Sequence, residues 1–116
     1  MKNAALSMLV FGIYLAVTGL GFLFMPNTTL GLFGGAPTSE PWIRVVGMLM
    51  LVLAFYYIMT SRQVNKPFFS LTVPARIGVV VVLVALALLR IGPIQLVLFA
   101  SIDLLGAIWT WWALRT

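Results

Sequence analysis

Residues 93–114 read PIQLVLFASIDLLGAIWTWWAL, an apolar run that contains a single charged residue, Asp103. At about 1.5 Å of rise per residue, a helix of this length crosses the ~30 Å hydrocarbon core of a bilayer. A carboxylate at mid-depth is costly there, and such residues usually face the interior of a helical bundle and have a functional role or a partner. The stretch therefore predicts a transmembrane helix whose acidic side chain points into the protein.

The composition of the whole chain agrees with a membrane location. Of 116 residues, 63% are hydrophobic and 8% are charged, whereas a soluble domain carries roughly 25% charged residues. Too little polar surface is present to cover a globule in water, so the sequence predicts an integral membrane protein. The net charge of +5 does not indicate a nucleic-acid partner, because the cationic residues lie at predicted helix ends, where they reach lipid head groups.

The residue types that the chain lacks narrow its chemistry. There is no cysteine and no histidine, which excludes disulfides, thiolate catalysis and the usual haem and zinc ligands. The only carboxylates are Glu40 and Asp103, too few for a protein-built site for a hard cation. An enzyme acting alone is therefore not expected, and no metal site or catalytic residue is predicted. The residues identify no cofactor, although a quinone or a lipid is a candidate bound molecule.

Prolines and run lengths divide the single domain, residues 1–116, into four predicted spans. The first stops at Pro26, the second has Pro41 in its first turn, and the third starts near Pro74, since proline is tolerated at helix starts. Because the linkers are short, consecutive spans pack as antiparallel neighbours. The predicted fold is an all-α, integral membrane four-helix up-and-down bundle. Its spans cover about residues 3–25, 41–60, 74–90 and 93–114.

The cationic residues predict the orientation of this bundle. One side carries the two termini and the loop after the second span, and it holds more lysines and arginines than the other side. The positive-inside rule therefore predicts that both termini are cytoplasmic. The residues are Lys2, Arg62, Lys66 and Arg115 on the first side, and Arg44 and Arg90 on the second.

A comparison of depths along antiparallel helices indicates a partner for Asp103. Arg76 lies roughly five residues, or ~7.5 Å, away along the bundle axis, and an extended arginine nearly covers that distance. We therefore predict that Arg76 pairs with Asp103 inside the membrane and that nearby hydroxyl groups join them. The predicted ligand-binding or proton-linked site consists of Asp103, Arg76, Tyr14, Tyr56, Tyr57 and Thr18.

Two alternatives to this site stay open. Asp103 could form a purely structural salt bridge, or be a carboxyl group kept protonated by its apolar surroundings. Arg76 could instead extend to the head groups on the cytoplasmic side.

Small residues recur at helical spacing on the predicted spans. Such residues let helix backbones approach closely, and the pattern predicts packing against a neighbouring helix or against another subunit. The predicted packing residues are Gly12, Ala16, Gly19, Gly47 and Gly106.

The connection over residues 26–41 is predicted to lack a stable helix, because glycines disfavour helix and three of them lie between positions 31 and 35. At its end, Glu40 and Arg44 stand four residues apart, a spacing that predicts a local ion pair at the start of the next helix.

Two short motifs carry a family resemblance. The opening of the second span, residues 42–47 (WIRVVG), and the centre of the fourth, residues 102–107 (IDLLGA), occur with a loop after the first span. In this combination the chain resembles the DoxX-like group of small bacterial four-helix membrane proteins. The resemblance implies a four-helix bundle in the bacterial inner membrane, with relatives linked to quinone-dependent sulfur oxidation or to binding of hydrophobic ligands. It transfers no catalytic residue.

Small multidrug resistance transporters offer a second comparison, because they share the chain length and the four spans. Those transporters depend on a membrane carboxylate in the first helix. This chain has Tyr14 in that helix, and its carboxylate, Asp103, lies in the fourth. The difference makes this resemblance the weaker of the two.

Three functions are compatible with these features. The favoured one is a binding or accessory protein whose mostly apolar cavity accepts a lipid, an isoprenoid or a quinone-like molecule. The second is a proton-coupled small-molecule transporter in which Asp103 exchanges a proton for substrate, working as a homo-oligomer because four short helices enclose little space. The third is a structural subunit of a larger membrane complex, with no ligand of its own. In every case, membrane lipids are expected partners.

Overall fold

The computed structural model describes residues 3–91 and 94–115, and almost all of them are helical. No strand is formed over these ranges, which confirms the all-helical prediction. Four of the helices are long and apolar enough to cross a membrane, as the run lengths predicted. The helices are α1 (Asn3–Phe24), α2 (Pro26–Leu32), α3 (Trp42–Gln63), α4 (Lys66–Leu88) and α5 (Gln95–Arg115), and the four long ones are α1, α3, α4 and α5.

Helix α1 is central and touches each of the other four helices, whereas α3 packs mainly on α1 and α4 mainly on α5. The long helices alternate in direction. Near the start of α1, Ser7 meets Thr110 close to the end of α5, and near the end of α1, Phe22 meets Phe99 close to the start of α5. The result is a flattened bundle whose Cα atoms extend over 43 × 29 × 18 Å.

The contact between α1 and α3 is closest at glycines. A Cβ atom on Gly12 would lie 2.9 Å from Cγ1 of Ile58, and one on Gly19 would meet the backbone of Gly47. Ala16, on the same helix, is partly buried against the core. The small-residue stripe of α1 therefore lies against α3 of the same chain.

The core is concentrated at the end of the bundle where α1 begins. Met8 on α1 and Phe69 on α4 are fully buried there. Helix α4 contributes to this core only through its first half, where its buried residues, Phe69, Thr72 and Arg76, all lie. Its second half exposes large apolar side chains such as Val81 and Leu88. Burial along α4 thus falls off beyond Arg76.

Helix α4 begins at Lys66, eight residues before the start near Pro74 that the sequence predicted for the third span. The side chain of Asn65 accepts a hydrogen bond from the backbone N–H of Phe68 at 3.1 Å, which caps the new helix end. Pro67 then occupies a first-turn position, where a missing N–H costs nothing. Pro74 lies inside the helix and on its exposed side.

Residues 26–32 form the short helix α2, so the prediction that this connection has no helix is wrong. Its first residue is a proline at a position that favours helix starts. Thr29 is buried, and its hydroxyl donates to the carbonyl oxygen of Met25 at 2.8 Å. The lack of a side chain on Gly21 makes room for Thr29. Gly34, with φ of +80°, ends the helix, so the glycines terminate α2 without preventing it.

Arg44 contacts α1 and does not pair with Glu40. Its Nη1 donates a hydrogen bond to the carbonyl oxygen of Leu23 at the end of α1. No ion pair within 4.0 Å forms among residues 3–91 and 94–115, so the predicted pair at this helix start is not made. A cation beside the last carbonyls of a helix is favourable because they carry the negative end of the helix dipole. Arg44 thus caps α1 from the first turn of α3.

Candidate functional site

The side chain of Arg76 is buried inside the bundle, with 3% of its surface exposed. Its position in the first half of α4 directs it towards α1 and α5. Nε donates to the backbone carbonyl of Thr72 at 3.3 Å, and Nη2 donates to the hydroxyl oxygens of Thr72 at 3.0 Å and Thr110 at 2.9 Å. An arginine is expensive to bury in apolar surroundings unless its donors find acceptors, and these two threonines satisfy Nε and Nη2.

A chain of hydroxyl groups continues from Arg76 to α1. The hydroxyls of Thr110 and Ser7 are hydrogen-bonded at 2.7 Å, and the Ser7 hydroxyl also lies 2.7 Å from the carbonyl oxygen of Ala4, to which it donates. Because the Ser7 hydroxyl donates its only proton to the carbonyl oxygen of Ala4, the Thr110 hydroxyl donates to Ser7 and accepts from Arg76. These contacts tie α1, α4 and α5 together. Ser7, Thr72, Arg76 and Thr110 are called the arginine cluster below.

Aromatic rings and a thioether complete the surroundings of the guanidinium group. Its Cζ lies 5.0 Å from the ring centroid of Phe11 and 5.6 Å from that of Tyr57, within the range of cation–π attraction. The Sδ atom of Met8 lies 3.7 Å from Nη2 and 3.6 Å from the Thr72 hydroxyl. The positive charge is therefore stabilised by weak acceptors and ring faces.

Asp103 does not form the predicted ion pair with Arg76. It lies on the same face of α5 as the buried Ala100, Ala107 and Thr110, and its side chain is partly buried. Its charge interacts with Arg76 through space, but the two groups are more than 4.0 Å apart. The nearest acceptors for the guanidinium are the threonine hydroxyls. Asp103 therefore faces the bundle interior without a direct cationic partner among the described residues.

The tyrosines of the predicted site separate into different environments. Tyr57 is 7% exposed and lies under Arg76, and Tyr14 on α1 is partly buried and close enough to Asp103 to sense its charge. Thr18 is buried one turn beyond Tyr14 on the same helix. Tyr56 does not join them, because it is 50% exposed and its ring packs on Phe55. Adjacent residues of a helix point about 100° apart, so only one of the two neighbouring tyrosines can face inwards.

A groove of about 240 Å³ lies between α1 and α5 next to the arginine cluster. It is open along one side, and its walls are almost entirely apolar. Gly106, predicted as a packing residue, forms part of its floor. A Cβ atom there would lie 2.9 Å from the ring of Phe11, so this glycine allows α1 and α5 to approach closely. We call this feature the α1–α5 groove. Its lining residues are Ser7, Val10, Phe11, Tyr14, Ile102, Leu105, Gly106 and Trp109.

Comparison of the chain with protein-family models, curated proteins and solved structures finds no match. The resemblance to DoxX-like proteins therefore depends on the two quoted motifs alone, and the site has to be interpreted from its own geometry. Among the described residues, no three side chains of His, Cys, Asp or Glu are grouped as metal ligands. The described residues thus provide one buried cation, a few hydroxyl groups and an apolar groove.

The predicted site lacks four residues that contact Arg76 directly or through a hydroxyl group: Ser7, Met8, Thr72 and Thr110. Thr72 precedes Arg76 by four residues, a spacing that places both on one helix face, so the pattern could have revealed it. Met8 lies within the apolar first span, and nothing in its position predicts that its sulfur approaches a guanidinium group. That contact depends on the relative rotation of α1 and α4.

Proposed function

We propose that this chain is a small integral protein of the bacterial inner membrane that binds a hydrophobic molecule, such as a lipid, an isoprenoid or a quinone, in the α1–α5 groove. The observation that carries the proposal is the groove itself, a partly open apolar recess whose lining residue Gly106 lies next to the buried Arg76. Binding sites for apolar ligands have this composition, with mostly hydrophobic walls and a few convergent polar groups.

The position of the groove suits entry from a bilayer. Its walls come from residues 7–14 of α1 and residues 102–109 of α5. Both helices are long enough to cross a membrane. A side opening between two such helices faces acyl chains, so an apolar ligand reaches it without crossing water. Trp109 and Tyr14 supply flat aromatic surfaces at its edge.

The charge distribution supports an orientation with both termini in the cytoplasm. Arg62 follows the core of α3, Lys66 starts α4, and Arg115 ends α5, so these cations gather at one end of the bundle. Arg44 and Arg90 belong to the other end. The larger cationic group marks the cytoplasmic side.

Membership of the DoxX-like group, with a role as a ligand-binding or accessory subunit, is part of this proposal. The support is the pair of motifs at residues 42–47 and 102–107, which supply Arg44 at the end of α1 and Gly106 at the groove. The first motif thus contributes the residue that caps α1, and the second contributes a residue that lines the groove.

Native mass spectrometry of the protein released from a non-ionic detergent tests the proposal. We expect the wild-type chain to retain an apolar molecule from the host membrane. Val10→Trp places a large ring in the groove and should abolish this retention, whereas Val17→Trp, on the same helix and exposed outside the groove, should preserve it.

Two results would contradict the proposal. One is a wild-type protein that carries no apolar molecule and takes up none when lipid extract or a quinone is added. The other is retention that Val10→Trp and Val17→Trp leave equally intact. Either result would favour a structural subunit over a binding protein.

A further inference from the structure

One end of the Arg76 guanidinium group has no acceptor. Nε and Nη2 bond to Thr72 and Thr110, but Nη1 is buried and has no hydrogen-bond partner among the described residues. A guanidinium group carries five N–H donors in a fixed plane, and two of them belong to Nη1. Buried polar atoms without a partner are rare and costly in folded proteins, so this atom requires an explanation.

The charge of Arg76 is also not neutralised by direct contact. No carboxylate oxygen in the described part of the chain lies within 4.0 Å of it. The rings of Phe11 and Tyr57 give some compensation, but cation–π contacts are weaker than a charge-assisted hydrogen bond to an oxyanion. Arg76 therefore has both a spare pair of donors and a charge that an anion would stabilise.

The spare donors lie beneath the floor of the α1–α5 groove. A Cβ atom on Gly106 would stand 3.2 Å from Nη1, and Gly106 lines the groove. Gly106 and Phe11 both line the groove, and both lie next to the guanidinium group. The ring of Phe11 lies 2.9 Å from the position of that Cβ atom, so an acceptor atom in the groove has to displace this ring to reach Nη1.

We infer that the ligand of the groove is an amphiphile with one apolar chain and an oxyanion head group, a carboxylate or a phosphate, which accepts hydrogen bonds from Arg76 Nη1. This inference rests on the binding function proposed above and specifies the class of ligand. The apolar chain lies along the groove wall and continues into the bilayer, and the head group lies beside Gly106 once it has displaced the ring of Phe11.

The size of the groove favours a single chain. Its volume of about 240 Å³ is below the ~300–1,000 Å³ typical of pockets that enclose a drug-sized molecule. The open side lets the rest of the ligand remain among lipid chains. A neutral alcohol or ketone could use the same walls but would leave Arg76 without an anion in direct contact, because Asp103 acts on it only through space.

Tryptophan fluorescence offers a direct test, because Trp109 is the groove-lining member of the four tryptophans in the sequence. The probes are a brominated long-chain fatty acid, the alkyl phosphate of the same brominated chain and the matching fatty alcohol. Each is added at equal mole fraction to the full-length protein in non-ionic detergent, at a pH where the acidic head groups are ionised. Trp109→Phe defines the quenching that does not arise in the groove.

On the wild type we expect at least one oxyanion probe to quench Trp109 with a ~10-fold or larger advantage over the alcohol, since a hydrogen bond to a charged group contributes this much. Quenching by both probes, or by the carboxylate or phosphate alone, supports the inference and identifies the head group. Gly106→Ala, which places a methyl group against Phe11 and Nη1, and Arg76→Gln, which removes the charge, should each abolish the advantage. Gly78→Ala, on α4 with open space around it, should preserve it.

The possible failures are distinguishable. Equal quenching by the alcohol and by both oxyanion probes would overturn the head-group inference and leave the binding function standing. No quenching at Trp109 by any probe would overturn both. If Arg76→Gln fails to fold, the head-group comparison on the wild type and the Gly106→Ala variant still decide the question.

Discussion

Gly19 and Gly47 lie back to back across the contact between α1 and α3. A Cβ atom on Gly47 would lie 2.6 Å from the carbonyl oxygen of Gly19, and a Cβ atom on Gly19 would lie 2.8 Å from the carbonyl oxygen of Gly47. Both obstacles are backbone atoms, which can move only if a whole helix moves. The separation of the two helices is therefore set by the absence of side chains at this point.

We expect Gly47→Ala to destabilise the protein. Overpacking costs about 1–3 kcal/mol, and the better helix propensity of alanine recovers only about 0.5–1 kcal/mol, which leaves a net loss of up to about 2.5 kcal/mol. The measurement is the midpoint of thermal unfolding in a non-ionic detergent. Gly78→Ala is the matched control, because its Cβ atom would meet open space, and it should leave the midpoint unchanged or raise it. A similar response of the two variants would contradict the packing argument.

Thr110→Val should destabilise the arginine cluster while keeping the shape of the side chain. The Thr110 hydroxyl accepts from Arg76 Nη2 and bonds to Ser7, so its removal deprives two buried groups of a partner. Such losses cost about 1–3 kcal/mol, measurable by the same thermal unfolding.

The control for Thr110→Val is Ser101→Ala on the same helix. Ser101 is exposed, and its hydroxyl donates only to the Val97 carbonyl oxygen at 2.8 Å, so the change should stay within ~0.5 kcal/mol. A double-mutant cycle with Ser7→Ala should show coupling to Thr110→Val, because the two hydroxyls are in direct contact. Additive effects would mean that the hydroxyl chain does not act as a unit.

Arg44→Ala should loosen the end of α1. The variant loses the hydrogen bond to the Leu23 carbonyl oxygen and a cation beside the negative end of the helix dipole, together about 0.5–1 kcal/mol at an exposed position. Hydrogen exchange should increase at the last turn of α1 before it changes elsewhere. Arg62→Ala removes an exposed arginine with no such contact among the described residues and should leave that exchange unaltered. Equal exchange in the two variants would argue against the capping role.

Asp103→Asn should change the free energy of unfolding by less than about 1 kcal/mol. The loss of through-space attraction to Arg76 is offset, because the variant no longer buries a charge whose removal from water is costly. Chemical unfolding followed by circular dichroism measures the difference. A loss as large as that of Thr110→Val would show that Asp103 depends on a direct ion pair in solution.

The sequence predicted the elements of this fold well, because run length and apolarity are properties of single segments. The four spans appear as α1, α3, α4 and α5, with the main differences at Lys66 and in α2. Both differences involve residues whose effect depends on neighbours. Asn65 provides a cap that makes an earlier start favourable, and Gly21 leaves space that lets Thr29 anchor α2.

The candidate site was predicted only in part. Arg76 and Asp103 were chosen as the charged residues inside the bundle, and both face inwards. Residue counting gives only the depth of a residue along the helix axis, at about 1.5 Å per residue. That precision cannot separate a direct ion pair from two charges that interact at a distance. It also cannot decide between Tyr56 and Tyr57, which differ in rotation and hardly in depth.

The amino-acid sequence by itself determined that the chain forms long apolar helices with very few charges, because helix formation and hydrophobicity depend on each segment alone. Only the tertiary structure decided what those charges meet. Arg76 is held by the hydroxyls of Thr72 and Thr110 and has Nη1 left over beside Gly106. This outcome depends on the rotation and axial offset of three helices together. A small change in the rotation or the offset would give Arg76 different hydrogen-bond partners.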